Sequence, residues 1–227
     1  MSGRSIVVTG GFGALGRIVA AAFASQGDKV ARVDFAPKAP DANPSGIDLP
    51  SVDLTDGEAA ARVVERVSQA FGGLDVLVNI AGGFTWETLV DGNVATWQRL
   101  YAMNAVTAAT MTKAALPGLR ARPKARIVNI GAGAAIQAAA GMGAYAASKA
   151  AVHRLTESLA AELAKEDITV NAVLPSIIDT PTNRADMPDA DFSAWVKPQA
   201  IADVILFLAS DAARSISGAL IPVTRGG

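Results

Sequence analysis

Tyr145 and Lys149 stand four residues apart in the stretch YAASK, and on a helix side chains at that spacing address one site. A phenol has a reference pKa near ~10 and exchanges protons poorly at neutral pH; an ammonium beside it favours phenolate and is expected to lower that value. The pair therefore reads as an acid/base couple. The fifteen residues from Ile130 to Ala144 contain no serine or threonine, so this stretch offers no side-chain hydroxyl to polarise a substrate oxygen. The single histidine, His153, lies one further turn along and is assigned mainly a structural or interface role. With no cysteine, the chain can build no disulfide, zinc-thiolate site or thiol nucleophile, and one histidine argues against histidine-based triads and polyhistidine metal sites. No metal is expected. The chemistry is left to other side chains or to a bound cofactor.

The stretch IVVTGGFGALGRIVAAAF supplies a place for one, with Gly10, Gly11, Gly13 and Gly16 between a candidate strand and a candidate helix. Gly11, Gly13 and Gly16 satisfy G-x-G-x-x-G: one glycine for a tight turn, one for close approach of backbone N–H groups to a pyrophosphate, one for helix-on-strand packing. Asp34 follows eighteen residues after Gly16, at the end of KVARVDF. A carboxylate there accepts hydrogen bonds from the adenosine ribose hydroxyls and repels a 2′-phosphate, and no basic residue immediately follows it. NAD is expected in preference to NADP.

Positioning these groups falls to an alternation of short β-branched runs with longer alanine-rich segments. The candidate strands are RSIVVTG, KVARVDF, GIDLPSVD, LDVLVNIAG, ARIVNIG, ITVNAVLP and ALIPVT; between most of them apolar residues recur at helical spacing and stop at glycine. That rhythm predicts an α/β fold, a doubly wound parallel sheet of about seven strands with helices on both faces. The 227 residues, 51% apolar with mean hydropathy +0.31, are expected to form a single domain over 1–227. A long irregular loop, about 176–198, follows a candidate strand, where ligands of open parallel sheets sit. The 20 basic and 21 acidic residues form no long block, which argues against nucleic acid. No apolar run approaches the ~20 residues that span a bilayer, and MSGRSIVVTG lacks a signal-peptide core, so a cytoplasmic protein is expected.

Taken in order, these pieces resemble the short-chain dehydrogenase/reductase family along nearly the whole chain. TGGFGALG is similar to its T-G-x-x-x-G-x-G loop with Ala14 at the middle glycine; VDL, ending in Asp53 and Leu54, resembles its adenine-contacting turn; and DVLVNIAGG resembles its N-N-A-G stretch with Ile80 at the second asparagine. YAASK matches Y-x-x-x-K, and VNAVLPSIIDTP resembles the P-G-x-x-x-T loop with Ser176 for glycine. The resemblance implies a Rossmann-type fold in which Tyr145 exchanges the substrate proton, Lys149 tunes it and binds the nicotinamide ribose, and Asn104 orients a relay water. It further implies a cofactor site comprising Gly10, Gly11, Phe12, Gly13, Leu15, Gly16, Asp34, Asp53, Leu54, Asn79, Ala81, Gly82, Tyr145, Lys149, Pro175, Ile178 and Thr180, the last two at the nicotinamide carboxamide. It also implies a homodimer or homotetramer, with the helix AYAASKAAVHRLTESLAAELA meeting a symmetry mate.

Most members of that family carry a serine thirteen residues before the tyrosine, where this chain has Ala132. Removing one oxyanion donor typically costs on the order of 10²–10³ in rate. Three readings follow: a weakened enzyme, a different donor, or a substrate that builds no localised oxyanion. Gln137, the only side-chain amide in the interval, is either that donor or an exposed loop residue. The third reading gains from a narrower resemblance: GAGAAIQAAAGMGAYAASKAAVHRL, AVLPSIIDTPTNRADMPDADFSAW and IAGGF are similar to the dihydropteridine reductase branch, which uses NADH, lacks the serine and reduces a quinonoid pterin. A conjugated ring can spread incoming electron density. Phe84, Trp86, Met187 and Trp195 are candidates for the pocket wall, with ordinary loop packing as the alternative for each. The rival enzymatic reading is a carbonyl reductase or alcohol dehydrogenase; the rival from another class is a dinucleotide-binding sensor or assembly protein without turnover.

Overall fold

The computed structural model describes residues 3–226. Seven β-branched runs become strands: β1 Ser5–Thr9, β2 Lys29–Val33, β3 Gly46–Leu49, β4 Val76–Asn79, β5 Ala125–Ile130, β6 Ile168–Pro175 and β7 Leu220–Val223. They form one parallel sheet in the order β3-β2-β1-β4-β5-β6-β7. β1, β4, β5 and β6 are buried along their whole length, as expected where helices cover both faces of a parallel sheet.

The helices are α1 Ala14–Ser25, α2 Gly57–Phe71, α3 Val94–Tyr101, α4 Thr107–Arg120, α5 Gly143–Glu162, α6 Pro181–Asp186 and α7 Pro198–Leu208. α1 and α7 lock one face through Leu15, Val19, Phe23, Ile201 and Ile205, against Ile6, Val8 and Val78 of the sheet. On the other face Val63, Val67, Met111, Leu119 and Leu159, from α2, α4 and α5, close over Val7, Leu77 and Ile127. Strand order reverses direction between β1 and β4, and the loops after these two strands part there to leave a crevice.

Two departures from regular geometry position the site. α3 runs into α4 through a π-helical turn, Ala102–Val106, in which Thr107 N–H donates to Ala102 C=O; such turns recur at functional sites. The 176–198 segment, expected to be irregular, carries α6 and a 3₁₀ turn at Phe192–Ala194, and Ile178 bridges to Val196. Thr180 caps α6 by accepting from Asn183 N–H, and Pro181 opens it. The Thr-Pro pair was a readable helix start.

Candidate active site

The crevice is a cleft of about 810 Å³. Its floor is the glycine loop, and the roles of the glycines differ from the expected ones. Gly10 makes the tight turn: its φ is +64°, and a Cβ there would lie 2.9 Å from Ala81 N. Gly11 faces away from the cleft, against the Arg32 side chain, and its N–H donates to Val33 C=O. Gly13 precedes α1, where a Cβ would make only ordinary contact with Gly10 C=O at 3.4 Å, and Gly16 lies so close to Gly10 C=O that any side chain would collide. A side chain at Gly10, Gly11 or Gly16 would thus collide with the protein that shapes this floor, and the N–H groups at the start of α1 suit an anion.

Asp34 stands at one end of the cleft, held by Phe12 N–H to Oδ2 and Ala36 N–H to Oδ1, both at 3.0 Å. Each carboxylate oxygen keeps acceptor capacity for a ribose hydroxyl. The basic residue nearest in sequence, Arg32, is buried and committed to Asp48 at 2.8 Å and to Asp41, which raises its pKa further. Asp53 and Leu54 line the same end; the Thr55 hydroxyl and N–H hold the Asp53 carboxyl below its usual range. Gly82, Ala81 and Thr180 complete the far end.

Asn79 does not reach the cleft. Its amide is buried in a polar ladder, donating to Thr112 Oγ1 (3.0 Å) and Asn129 Oδ1 (2.9 Å), while Asn129 donates to Thr156. The turn after β4 is held instead by Thr9, whose hydroxyl accepts from Ile80 N–H and Ala81 N–H. Leu15 lines the cleft but belongs also to the core. Pro175 ends β6, and the Ile178 carbonyl accepts from Asn183 at 2.7 Å; the Thr180 hydroxyl is the α6 cap.

Asn104, in the π-turn, is buried and joins three elements. Its Oδ1 accepts from Gly83 N–H (2.8 Å), and its Nδ2 donates to Gly83 C=O (3.0 Å) and Ser148 Oγ (2.8 Å). Ser148 in turn donates to Tyr145 C=O. A Cβ on Gly82 would lie 3.5 Å from Lys149 Nζ, which places the ammonium beside the loop after β4. Lys149 donates to Ile130 C=O at 2.8 Å, and burial lowers its pKa to about 8.

The expectation of a lowered tyrosine pKa is corrected. Burial pushes the Tyr145 phenol up to about 12, with no compensating charge. The physical reason is that the ammonium is turned to a backbone carbonyl and the phenol is packed edge-on to the Phe84 ring, centroids 5.0 Å apart. Desolvation disfavours the anion, and nothing in the bare protein offsets it.

The remaining candidates separate. Phe84 touches the phenol. Trp86 sits on Gly141, whose φ is +74°, and donates from Nε1 to Ala140 C=O, so it ties two loops of the site together. Trp195 is buried against Phe192 inside the 176–198 segment, a packing role, and Met187 is partly exposed beyond α6. Gln137 is exposed, with no hydrogen bond to tie it to the phenol. His153 is buried and accepts through Nε2 from Ala132 N–H at 3.3 Å; burial first, then Arg154, lowers its pKa. Arg99, Met103 and Thr107 of α3 to α4 and Phe35 after Asp34 also line the cleft, and the sequence reading did not single them out. Arg99 and Met103 share i, i+4 spacing, a signal that the π-turn obscures.

The family model described as short chain dehydrogenase matches residues 4–191. The 3-oxoacyl-[acyl-carrier-protein] reductase of Thermotoga maritima is 31% identical, covering 100% of this chain and 98% of the relative. Cis-4-hydroxycyclohexanecarboxylate dehydrogenase of Sinomonas cyclohexanicum is 34% identical, covering 98% and 96%. Among solved structures, NAD+-bound xylitol dehydrogenase superposes with a TM-score of 0.89 at 25% identity over 100% of this chain and 99% of that one.

Proposed function

The chain belongs to the short-chain dehydrogenase family of oxidoreductases, and we propose that it is an NAD(H)-dependent enzyme interconverting a small-molecule carbonyl and alcohol. The observation that carries this reading is the placement of Lys149 and Asn104 against the Gly82–Gly83 loop that borders a glycine-floored cleft, with Tyr145 one helical turn before Lys149 on α5. A bound nicotinamide supplies the hydride. Tyr145, which its raised pKa keeps protonated at neutral pH, donates the proton to the substrate oxygen in the reducing direction. Lys149, released from Ile130 C=O or shared with it, supports the phenolate left behind. Asn104 fixes the loop after β4 against α5 and so sets the distance between cofactor and phenol.

NADH over NADPH is the expected preference, supported by Asp34 and by an Arg32 already paired with two carboxylates. The substrate reading draws on relatives whose names are those of carbonyl and alcohol enzymes. A second reading, a quinonoid dihydropterin or similar conjugated ring, is favoured by Ala132, which has no hydroxyl of its own and whose N–H is already bonded to His153. Cytoplasmic location and self-association complete the proposal.

The test is NADH oxidation against a ketone panel and quinonoid dihydropterin, after calorimetric titration of NADH. Turnover of ketones supports the first reading and of the pterin alone the second. NADH uptake without turnover leaves a binding protein, and no uptake removes both.

A further inference from the structure

Arg99 is the one cation among the described residues lining the cleft. It is exposed, on α3, one turn before Met103, and shares its stretch of wall with Gly82 and Ala102. Among the described residues it makes no ion pair. The acids nearest in sequence are engaged elsewhere: Glu87 accepts from Asn93 N–H at 3.1 Å and Asp91 from the Thr88 hydroxyl at 2.8 Å. One of its guanidinium nitrogens, Nη2, donates to Thr85 Oγ1 at 3.1 Å, which orients the side chain and leaves other N–H donors of the fork free.

We infer that Arg99 binds a carboxylate carried by the substrate, held in a site made with Thr85, so that the enzyme selects anionic over neutral substrates. The inference rests on the oxidoreductase reading and specifies its substrate. Two placements favour the substrate over the dinucleotide as the ligand. Thr85 directly follows Phe84, whose ring lies on Tyr145, so the guanidinium is tied to the loop that borders the reacting phenol. The backbone N–H groups suited to the pyrophosphate belong instead to the glycine loop at the start of α1. A second anchor has a further physical use here. With alanine at 132, the substrate oxygen has Tyr145 alone to orient it, and a charged handle elsewhere on the molecule restores a fixed approach.

The probes are 4-oxocyclohexanecarboxylate and its neutral methyl ester, titrated into the NADH-loaded protein at low ionic strength. The acid is expected to bind about 10- to 100-fold more tightly than the ester, the range of a charge-assisted hydrogen bond. Arg99→Gln should erase that preference and Arg99→Lys should restore part of it, with NADH affinity within about twofold of wild type, because Arg99 is exposed and the glycine loop is untouched. Equal binding of acid and ester, a preference that survives Arg99→Gln, or no binding of either probe would overturn the inference. So would a large loss of NADH affinity in Arg99→Gln, which would assign Arg99 to the cofactor phosphates. Absence of NADH uptake by the wild type removes the oxidoreductase reading and this inference with it, whereas NADH uptake without anion preference removes this inference alone.

Discussion

In the mechanism we propose the phenol of Tyr145 carries the proton chemistry, yet burial alone holds it at about 12, far from the poise of a base at neutral pH. Its activation therefore depends on what enters the cleft and on where Lys149 points. Tyr145→Phe keeps the ring and its contact with Phe84, so it should lower kcat by at least about 10²-fold while NADH affinity, measured by calorimetry, stays within about twofold. Retained steady-state activity would take the tyrosine out of the mechanism. Lys149 gives a second residue-scale test. Its pKa falls from 10.5 to about 8 in the folded protein because its ammonium is buried. Below pH 8 both folded and unfolded chains hold the proton, and the cost of burying the charge is present in full. Between about 8 and 10.5 only the unfolded chain holds it, so this site's contribution to stability rises with pH across that window. Urea midpoints of the cofactor-free wild type relative to Lys149→Met should climb from pH 8 to pH 10, and a flat or falling difference would show that the ammonium is not buried.

At the scale of elements, the candidate site brings together the loop after β4, the π-turn and α5, which Asn104 fastens to one another. Asn104→Ala leaves Gly83 N–H, Gly83 C=O and Ser148 Oγ without this partner, which should lower stability by about 1–3 kcal/mol in urea denaturation and loosen the Gly83 loop. Unchanged stability would mean that water replaces the amide. At the end of β2, Asp34→Ala removes the carboxylate that Phe12 and Ala36 N–H groups orient, and should narrow the ratio of NADPH to NADH dissociation constants by about tenfold. A wild type that already prefers NADPH would contradict the role given to Asp34. These elements differ in how far the sequence disclosed them. Each of the seven candidate runs became a strand; the inner ones were legible because a buried parallel strand must be a short apolar, β-branched run, and the half-exposed edge strands β3 and β7 because turn residues bound them. The π-turn was not, since nothing in the local sequence announces it, and its Asn104 finds its partner in a tertiary contact, accepting from Gly83 N–H twenty-one residues earlier. Motif spacing places Asn79 in the cofactor loop, but a motif cannot say which way a side chain turns, and Thr112 and Asn129 hold its amide inward. The sign of the Tyr145 shift escaped for a related reason: it depends on burial beside Phe84, a residue 61 positions away in the chain.

For the whole molecule, α5 has two jobs, and they fall on different sides of it. Ser148, Lys149, Val152, His153 and Thr156 are buried toward the sheet and the active site, whereas Ala147, Arg154 and Ser158 are exposed and Ala151 and Leu155 half-exposed. Ala147, Ala151, Leu155 and Ser158 recur at intervals of three and four, so they form one stripe along the helix. Small side chains there let a second backbone approach closely, and a two-fold axis would set the stripe against its own copy. No helix among the described residues is long and apolar enough to cross a membrane, so a lipid-spanning use of α5 is not in competition. We expect a dimer at micromolar concentration in sedimentation velocity. Ala151→Arg should put like charges at the centre of the stripe and yield a monomer, and because Ser148 and Lys149 hold Asn104 and Ile130 from the opposite face of α5, that monomer should still bind NADH. A monomeric wild type would refute the interface. A monomeric variant that has also lost NADH binding would show that the two faces of α5 are mechanically coupled, with the outward stripe holding the helix in the register that presents Tyr145.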